Sequence, residues 1–172
     1  MTTIVVDADM LAPGLARRLA CLTYESLLLF GVVAITALVH AYLTQLLPAL
    51  EGRIGLMVVL FLVLAIYFVW FWTKGGQTLA MKAWRLRLVS ADGGPLSRPR
   101  AFARYLLAWV WVLPALAGAH FGGVQSAWNT LGLLILWVLA YAALACLQSQ
   151  RQFWHDAACG TRLVHWHPPS TP

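Results

Sequence analysis

Four apolar runs of about 20 residues each dominate the sequence, at about residues 19–47, 54–72, 102–119 and 128–147. A helix of roughly 20 apolar residues is long enough to cross a hydrocarbon core about 30 Å thick. The runs fill roughly half of the chain, which leaves too little sequence for an independent soluble domain. They predict an all-α membrane protein built as a four-transmembrane-helix bundle.

Composition agrees with this fold class. The 172 residues are 61% hydrophobic and only 10% charged, which is typical of a membrane protein. The three cysteines, Cys21, Cys146 and Cys159, have no CxxC spacing and lie in or near apolar runs. They therefore predict neither a disulfide framework nor a zinc site. We expect no metal and no cofactor.

The polar stretch at residues 74–100 predicts a small folded element. Thr78–Trp84 suits a short amphipathic helix on the membrane surface, and Arg85–Ser90 has a partly alternating, strand-like pattern. Asp92–Pro95 is a turn signal, so a β-hairpin or a strand and turn can follow the helix. A second strand is predicted at Thr161–Trp166. Because short isolated strands leave backbone groups without partners, we expect the two strands to pair.

Around these elements the sequence divides into a lead (1–14), a transmembrane domain (15–166) and a tail (167–172). Pro114 is expected to kink the third helix, and Gln148–Ala158 to extend the fourth. An aromatic cluster at residues 67–72 followed by Lys74 is typical of a membrane interface, with pocket lining as the alternative.

The net charge of +6 points to lipid, and no motif indicates nucleic acid. Basic residues of the loop and third helix are expected at lipid headgroups, with the phosphates of a ligand as the alternative: Lys82, Arg85, Arg87, Arg98, Arg100 and Arg104. Apart from Arg53, every Lys and Arg lies at the start of the first span, between Lys74 and Arg104, or in the C-terminal part. By the positive-inside rule, both termini and the loop face the cytoplasm.

Glu25 is an ionisable residue inside the first apolar run, where a charge costs about 2.5–3.5 kcal/mol at the helix centre. Arg18 shares its helix face but lies about 10 Å away along the axis and points away from it. We expect Asp156 to meet Arg18, and Arg162, Gln77, Thr78 or protonation to satisfy Glu25. These residues form one predicted polar cluster.

Two roles for this cluster remain open. It can be a structural clasp in an accessory or interaction protein, with the bilayer and a second copy or another membrane protein as partners. Alternatively, Glu25 exchanges a proton or cation, because intramembrane acids mark such pathways. Few other polar residues could extend such a route: Thr36, His40, His120 and Asn129. We do not expect an enzyme, because Ser26, His155 and Cys159 have no visible catalytic partners.

Three segments together resemble the RDD family of bacterial membrane proteins. They are Arg17–Ala20 with an acidic residue at Glu25; Gly76–Leu79 continuing through Arg87–Val89 to Ala91–Gly94; and His155–Asp156 with Gly160–Val164. The resemblance covers about Leu15 to Val164. Glu25 stands where the family has aspartate, and Ala80 and Arg85 where it usually has glycine. The resemblance implies a multi-pass protein of the bacterial inner membrane, and a transport role, including sodium–proton exchange, has been suggested for the family.

Topology provides the first testable prediction. Reporter fusions at Gly52 and Gly123 should be active in the periplasm, and a fusion at Pro172 should be active in the cytoplasm, because basic residues are nearly absent from the two far-side turns. Periplasmic activity of the Pro172 fusion would contradict this orientation.

Overall fold

The computed structural model describes residues 13–46, 52–144 and 153–166. Four helical segments in this part are long and apolar enough to cross a membrane: α1 (Leu15–Leu46), α2 (Arg53–Lys74), a third at Arg98–Phe121, and α6 (Ala127–Leu144). The predicted fold class is confirmed. Four ranges lie outside the described residues: the lead up to residue 12, residues 47–51, residues 145–152 with the first part of the predicted extension, and the tail from residue 167.

The third segment is two helices joined by a single turn. Helix α4 (Arg98–Ala108) is followed by a 3₁₀ turn (Trp109–Trp111) and then by α5 (Leu113–Phe121). Pro114 has no N–H, so the carbonyl of Val110 receives no intrahelical hydrogen bond from it. The indole N–H of Trp137 in α6 donates to that carbonyl at 2.8 Å. A neighbouring helix therefore compensates for the break expected at Pro114.

The loop after α2 folds back against the helices. Gly76 has φ +68° and its N–H bonds to the Trp72 carbonyl at 3.1 Å, which ends α2. Helix α3 (Leu79–Ala83) follows, with Thr78 as its N-cap accepting from the Met81 N–H at 3.3 Å. Arg85, between α3 and the next strand, has φ +54°, a conformation that favours glycine. This conformation explains why a glycine suits that position.

Strands β1 (Leu86–Ser90) and β2 (Thr161–His165) form a two-stranded antiparallel sheet, with Leu86 opposite His165 and Ser90 opposite Thr161. The predicted pairing of the two strands is confirmed. The loop therefore forms a strand and turn, because the partner of β1 comes from the far end of the chain. We call α3, β1, β2 and the short helix α7 (Trp154–Ala158) the sheet layer.

Helix α7 begins anew after an extended residue. Phe153 has φ −70° and ψ 147°, so the helix expected from Gln148 to Ala158 does not run through this position. Gly160, at φ +61°, follows the last turn of α7, a position where glycine commonly ends a helix.

Packing divides the described chain into a well-buried end and helices with exposed apolar faces. Helix α1 packs on α2 and α3, α2 packs on α4, α4 on α7, and α5 on α6. The main core lies where the sheet layer meets the ends of α1, α2 and α4, with Leu86, Ala101 and Trp72 at its centre. Elsewhere large apolar side chains point outward, such as Leu38 at 72% and Phe121 at 87% exposure. Outward apolar faces are what a helix bundle needs in lipid.

Gly76 provides a test of how the sheet layer is joined to α2. A Cβ on Gly76 would lie 2.5 Å from the Leu88 carbonyl oxygen, whereas a Cβ on Gly75 meets nothing within 4 Å. We expect Gly76→Ala to lower the free energy of unfolding by about 1–3 kcal/mol. The control, Gly75→Ala, should change it by less than about 0.5 kcal/mol. Thermal unfolding in detergent measures both, and equal melting temperatures would contradict the close approach.

Candidate functional site

The polar residues of interest meet in an open cleft of about 350 Å³ between α1 and α4. Helix α2 forms its floor through Leu64, Phe68 and Trp72, and the sheet layer closes one end. The two acidic residues predicted for the site, Glu25 and Asp156, line this cleft. Two arginines, Arg18 and Arg104, line it as well. The rest of the lining is mostly apolar. A concave, mostly apolar pocket with a few polar groups is typical of a binding site.

Glu25 is 6% exposed and both of its carboxylate oxygens accept hydrogen bonds. The Tyr67 hydroxyl donates to Oε1 at 2.7 Å, and the Thr78 hydroxyl donates to Oε2. Thr78 is also the N-cap of α3, so one hydroxyl orients the start of that helix and holds it to α1. Glu25 thus joins α1, α2 and the sheet layer through two donors.

The other partners expected for Glu25 lie elsewhere. Gln77 donates from Nε2 to the Leu86 carbonyl at 2.6 Å. Arg162 lies on the exposed face of β2, because it alternates with the buried Thr161 and Leu163. Thr78, the third residue expected, does contact Glu25.

Asp156 is fully buried and its Oδ1 accepts a hydrogen bond from Arg104 Nε at 2.7 Å. The Arg104 guanidinium also lies 4.2 Å from the ring centroid of Trp72. The expectation that Arg104 lies at lipid headgroups is therefore wrong: it is 6% exposed, because α4 packs its face against α2 and α7. The ion pair that sequence reasoning assigned to Arg18 and Asp156 is formed by Arg104 and Asp156.

Arg18 is buried at the same end of the cleft, with its guanidinium carbon 5.3 Å from the ring centroid of Phe153. Arg18, Glu25 and Asp156, which were predicted to form one cluster, thus line the same cleft but make separate contacts. Glu25 is held by hydroxyl groups, and Asp156 is held by an arginine.

His155 links the Arg104–Asp156 ion pair to α6. Its Nε2 lies 3.4 Å from Asp156 Oδ1, and its Nδ1 lies 3.0 Å from the Tyr141 hydroxyl. Burial lowers the pKa of His155 to about 4, which outweighs the opposing effect of Asp156. The ring is therefore neutral at pH 7, and with its proton on Nε2 it can accept from Tyr141 at Nδ1.

The remaining basic residues differ in exposure. Arg100 donates to Ser90 at 2.6 Å and pairs with Asp92 at 3.4 Å. The Arg87 guanidinium lies 4.3 Å from the Trp166 ring centroid, and desolvation lowers its pKa. Lys82, Arg85 and Arg98 are exposed, so their contact with lipid headgroups stays a prediction. Among residues 13–46, 52–144 and 153–166, no three His, Cys, Asp or Glu side chains group as a metal site would need.

The sequence did not predict the roles that two side chains have as partners of the buried carboxylates. Tyr67 lies within the aromatic cluster that was interpreted as a membrane interface. Ala101, Arg104 and Tyr105 form one buried stripe of the helix, at positions i, i+3 and i+4. That buried stripe was a usable signal for Arg104, whereas nothing in the sequence singles out Tyr67.

Four membrane-crossing helices, a small sheet layer and two buried polar contacts together define a multi-pass membrane protein. The RDD family model matches residues 12–160, so the chain belongs to the RDD family. Searches of curated proteins and of solved structures returned no match.

The two arginine pairs allow a matched comparison. We expect Arg104→Met to lower the free energy of unfolding by about 3–5 kcal/mol, because Asp156 would be left as an uncompensated buried charge. Arg100→Met removes an exposed pair on the same helix and should cost about 0–1 kcal/mol. Denaturant unfolding in detergent gives both values. Equal losses would show that the Arg104–Asp156 contact is no stronger than a surface pair.

Proposed function

We propose that this RDD protein is an accessory or interaction protein of the bacterial inner membrane, in which buried polar contacts clasp the sheet layer onto the helix bundle. The observation that carries the proposal is the use made of the two buried carboxylates. Glu25 of α1 binds Thr78 at the start of α3, and Asp156 of α7 binds Arg104 of α4. Each carboxylate joins a membrane-crossing helix to the sheet layer.

The surroundings of Glu25 favour a structural role over a proton or cation pathway. Away from the sheet layer, the cleft is lined by Leu29, Leu64 and Val112, which offer no polar group to a moving ion. The Thr36 hydroxyl bonds to the Val32 carbonyl of its own helix, and neither His120 nor Asn129 lines the cleft.

The exposed charges of the sheet layer support its orientation and partners. Lys82 is exposed on α3, Arg85 is exposed just after it, and Arg98 is exposed at the start of α4. Basic residues beside membrane-crossing helices favour the cytoplasmic side and anionic headgroups. The sheet layer and both termini are therefore cytoplasmic in this proposal. The exposed apolar faces of the helices meet the bilayer, and a second copy or another membrane protein is the partner.

One observation favours a second candidate, proton or cation exchange at Glu25. The Glu25 carboxylate lines the open cleft and lies beside the hydroxyl oxygens of Tyr67 and Thr78. Carboxylate and hydroxyl oxygens are suitable ligands for a hard cation. This alternative agrees with the sodium–proton exchange suggested for the family.

Glu25→Gln distinguishes the two functions. A glutamine keeps the shape but weakens the hydrogen bonds from Tyr67 and Thr78, so we expect a loss of about 1–2 kcal/mol in the free energy of unfolding. In proteoliposomes, an accessory protein should show no sodium or proton flux above empty vesicles, with or without the substitution.

Ser26→Ala is the matched control for this experiment. Ser26 is the next residue, and among the described residues its hydroxyl bonds only to the Leu22 carbonyl of its own helix. It should leave stability and flux unchanged. Flux in the wild type and in Ser26→Ala, abolished by Glu25→Gln in folded protein, would overturn the accessory role in favour of exchange.

A further inference from the structure

Arg104 has more hydrogen-bond donors than the described part of the chain uses. A guanidinium carries five N–H donors, and only the Arg104 Nε donates to another described side chain. The side chain is nine-tenths buried and lines the cleft, so its unused Nη groups are available to a molecule bound there.

Trp72 adds a second donor at the same place. It is 3% exposed, lies under the Arg104 guanidinium and lines the cleft. Its indole N–H has no hydrogen-bond partner among the residues that the structure describes. Two stacked side chains with unused donors thus line one end of the cleft, where Arg18 adds a further positive charge. The chemistry that matches them is an anion with several acceptor oxygens.

The rest of the cleft is apolar and extends in the opposite direction. From Trp72 to Leu64 along α2, the floor runs about 12 Å toward the middle of the helix. Leu22 and Leu29 form the wall on α1, and Ala108 and Val112 form the wall on α4 and the turn after it. Glu25 lies between these walls, but both of its oxygens already accept hydrogen bonds. The polar end lies toward the helix ends and the apolar end toward the bilayer centre, which is the order of groups in a phospholipid.

We propose that the cleft between α1 and α4 binds one phospholipid. Its phosphodiester oxygens accept hydrogen bonds from the Nη groups of Arg104 and from the indole N–H of Trp72, and an acyl chain packs between the apolar walls. The planar fork of arginine suits phosphate oxygens. The volume of about 350 Å³ is within the usual range for small-molecule pockets. The proposal does not depend on the accessory role described above, although Arg104 takes part in both: its Nε binds Asp156 and its Nη groups bind the lipid.

Filling the cleft tests the proposal without touching its polar groups. The protein is equilibrated in detergent micelles that contain a defined phospholipid, and native mass spectrometry counts the lipids retained. Ala108→Phe narrows the cleft, and the control Ala103→Phe makes the same change at an exposed position of the same helix. We expect one retained phospholipid on the wild type and on Ala103→Phe, and about tenfold lower occupancy on Ala108→Phe.

A second pair covers the case in which Ala108→Phe fails to fold. Leu29→Trp fills the cleft from α1, and Leu27→Trp is its control, since Leu27 is 69% exposed. Equal retention by the filled variants and their controls, or no retained lipid on the wild type, would overturn the proposal.

Arg104→Lys tests the headgroup contact, because lysine keeps the positive charge beside Asp156 but loses the planar fork. We expect about tenfold lower occupancy for this variant as well. Excess inorganic phosphate should leave the retained lipid in place. If inorganic phosphate alone binds at Arg104 and displaces the lipid, the site recognises a free anion and the phospholipid assignment is wrong.

Discussion

A carboxylate in the first membrane-crossing helix needs hydrogen-bond donors, and the rest of the structure depends on where those donors come from. Tyr67 of α2 and Thr78 at the start of α3 donate to Glu25. Because an unsatisfied buried polar group is costly, this contact favours one arrangement of three elements. The loop after α2 is therefore drawn back to the helices, and β1 follows it into contact with β2.

The same requirement recurs at two other places in the bundle. Asp156 is fully buried and brings α7 to α4 through Arg104, while His155 beside it contacts Tyr141 of α6. At Pro114 the unsatisfied group is a backbone carbonyl, and the indole of Trp137 supplies the donor. In a medium without water, each polar group of this kind selects a neighbour for its element. Apolar packing alone would discriminate poorly between such neighbours, because lipid chains are as apolar as leucine.

The elements were predictable from sequence because each depends on local information. Span length gave the four helices, and turn chemistry with strand pattern gave β1 and β2. The partners in the cleft were not predictable to the same degree, since they depend on which helices are neighbours. Thr78 was an expected partner of Glu25, but Arg104 takes the place expected for Arg18 beside Asp156. The buried face of α4 indicated Arg104 in advance, whereas Tyr67 looked like the aromatic residues around it.

The central claim is that Glu25 holds the sheet layer to the helices, and hydrogen–deuterium exchange of Glu25→Leu in detergent tests it most directly. Leucine removes both hydrogen bonds while keeping the helix apolar. We expect faster backbone exchange in α3 and β1, more than 50 residues away in sequence, and unchanged exchange in α5 and α6, which pack mainly on each other and on the 3₁₀ turn. Unchanged exchange in α3 and β1 would contradict it.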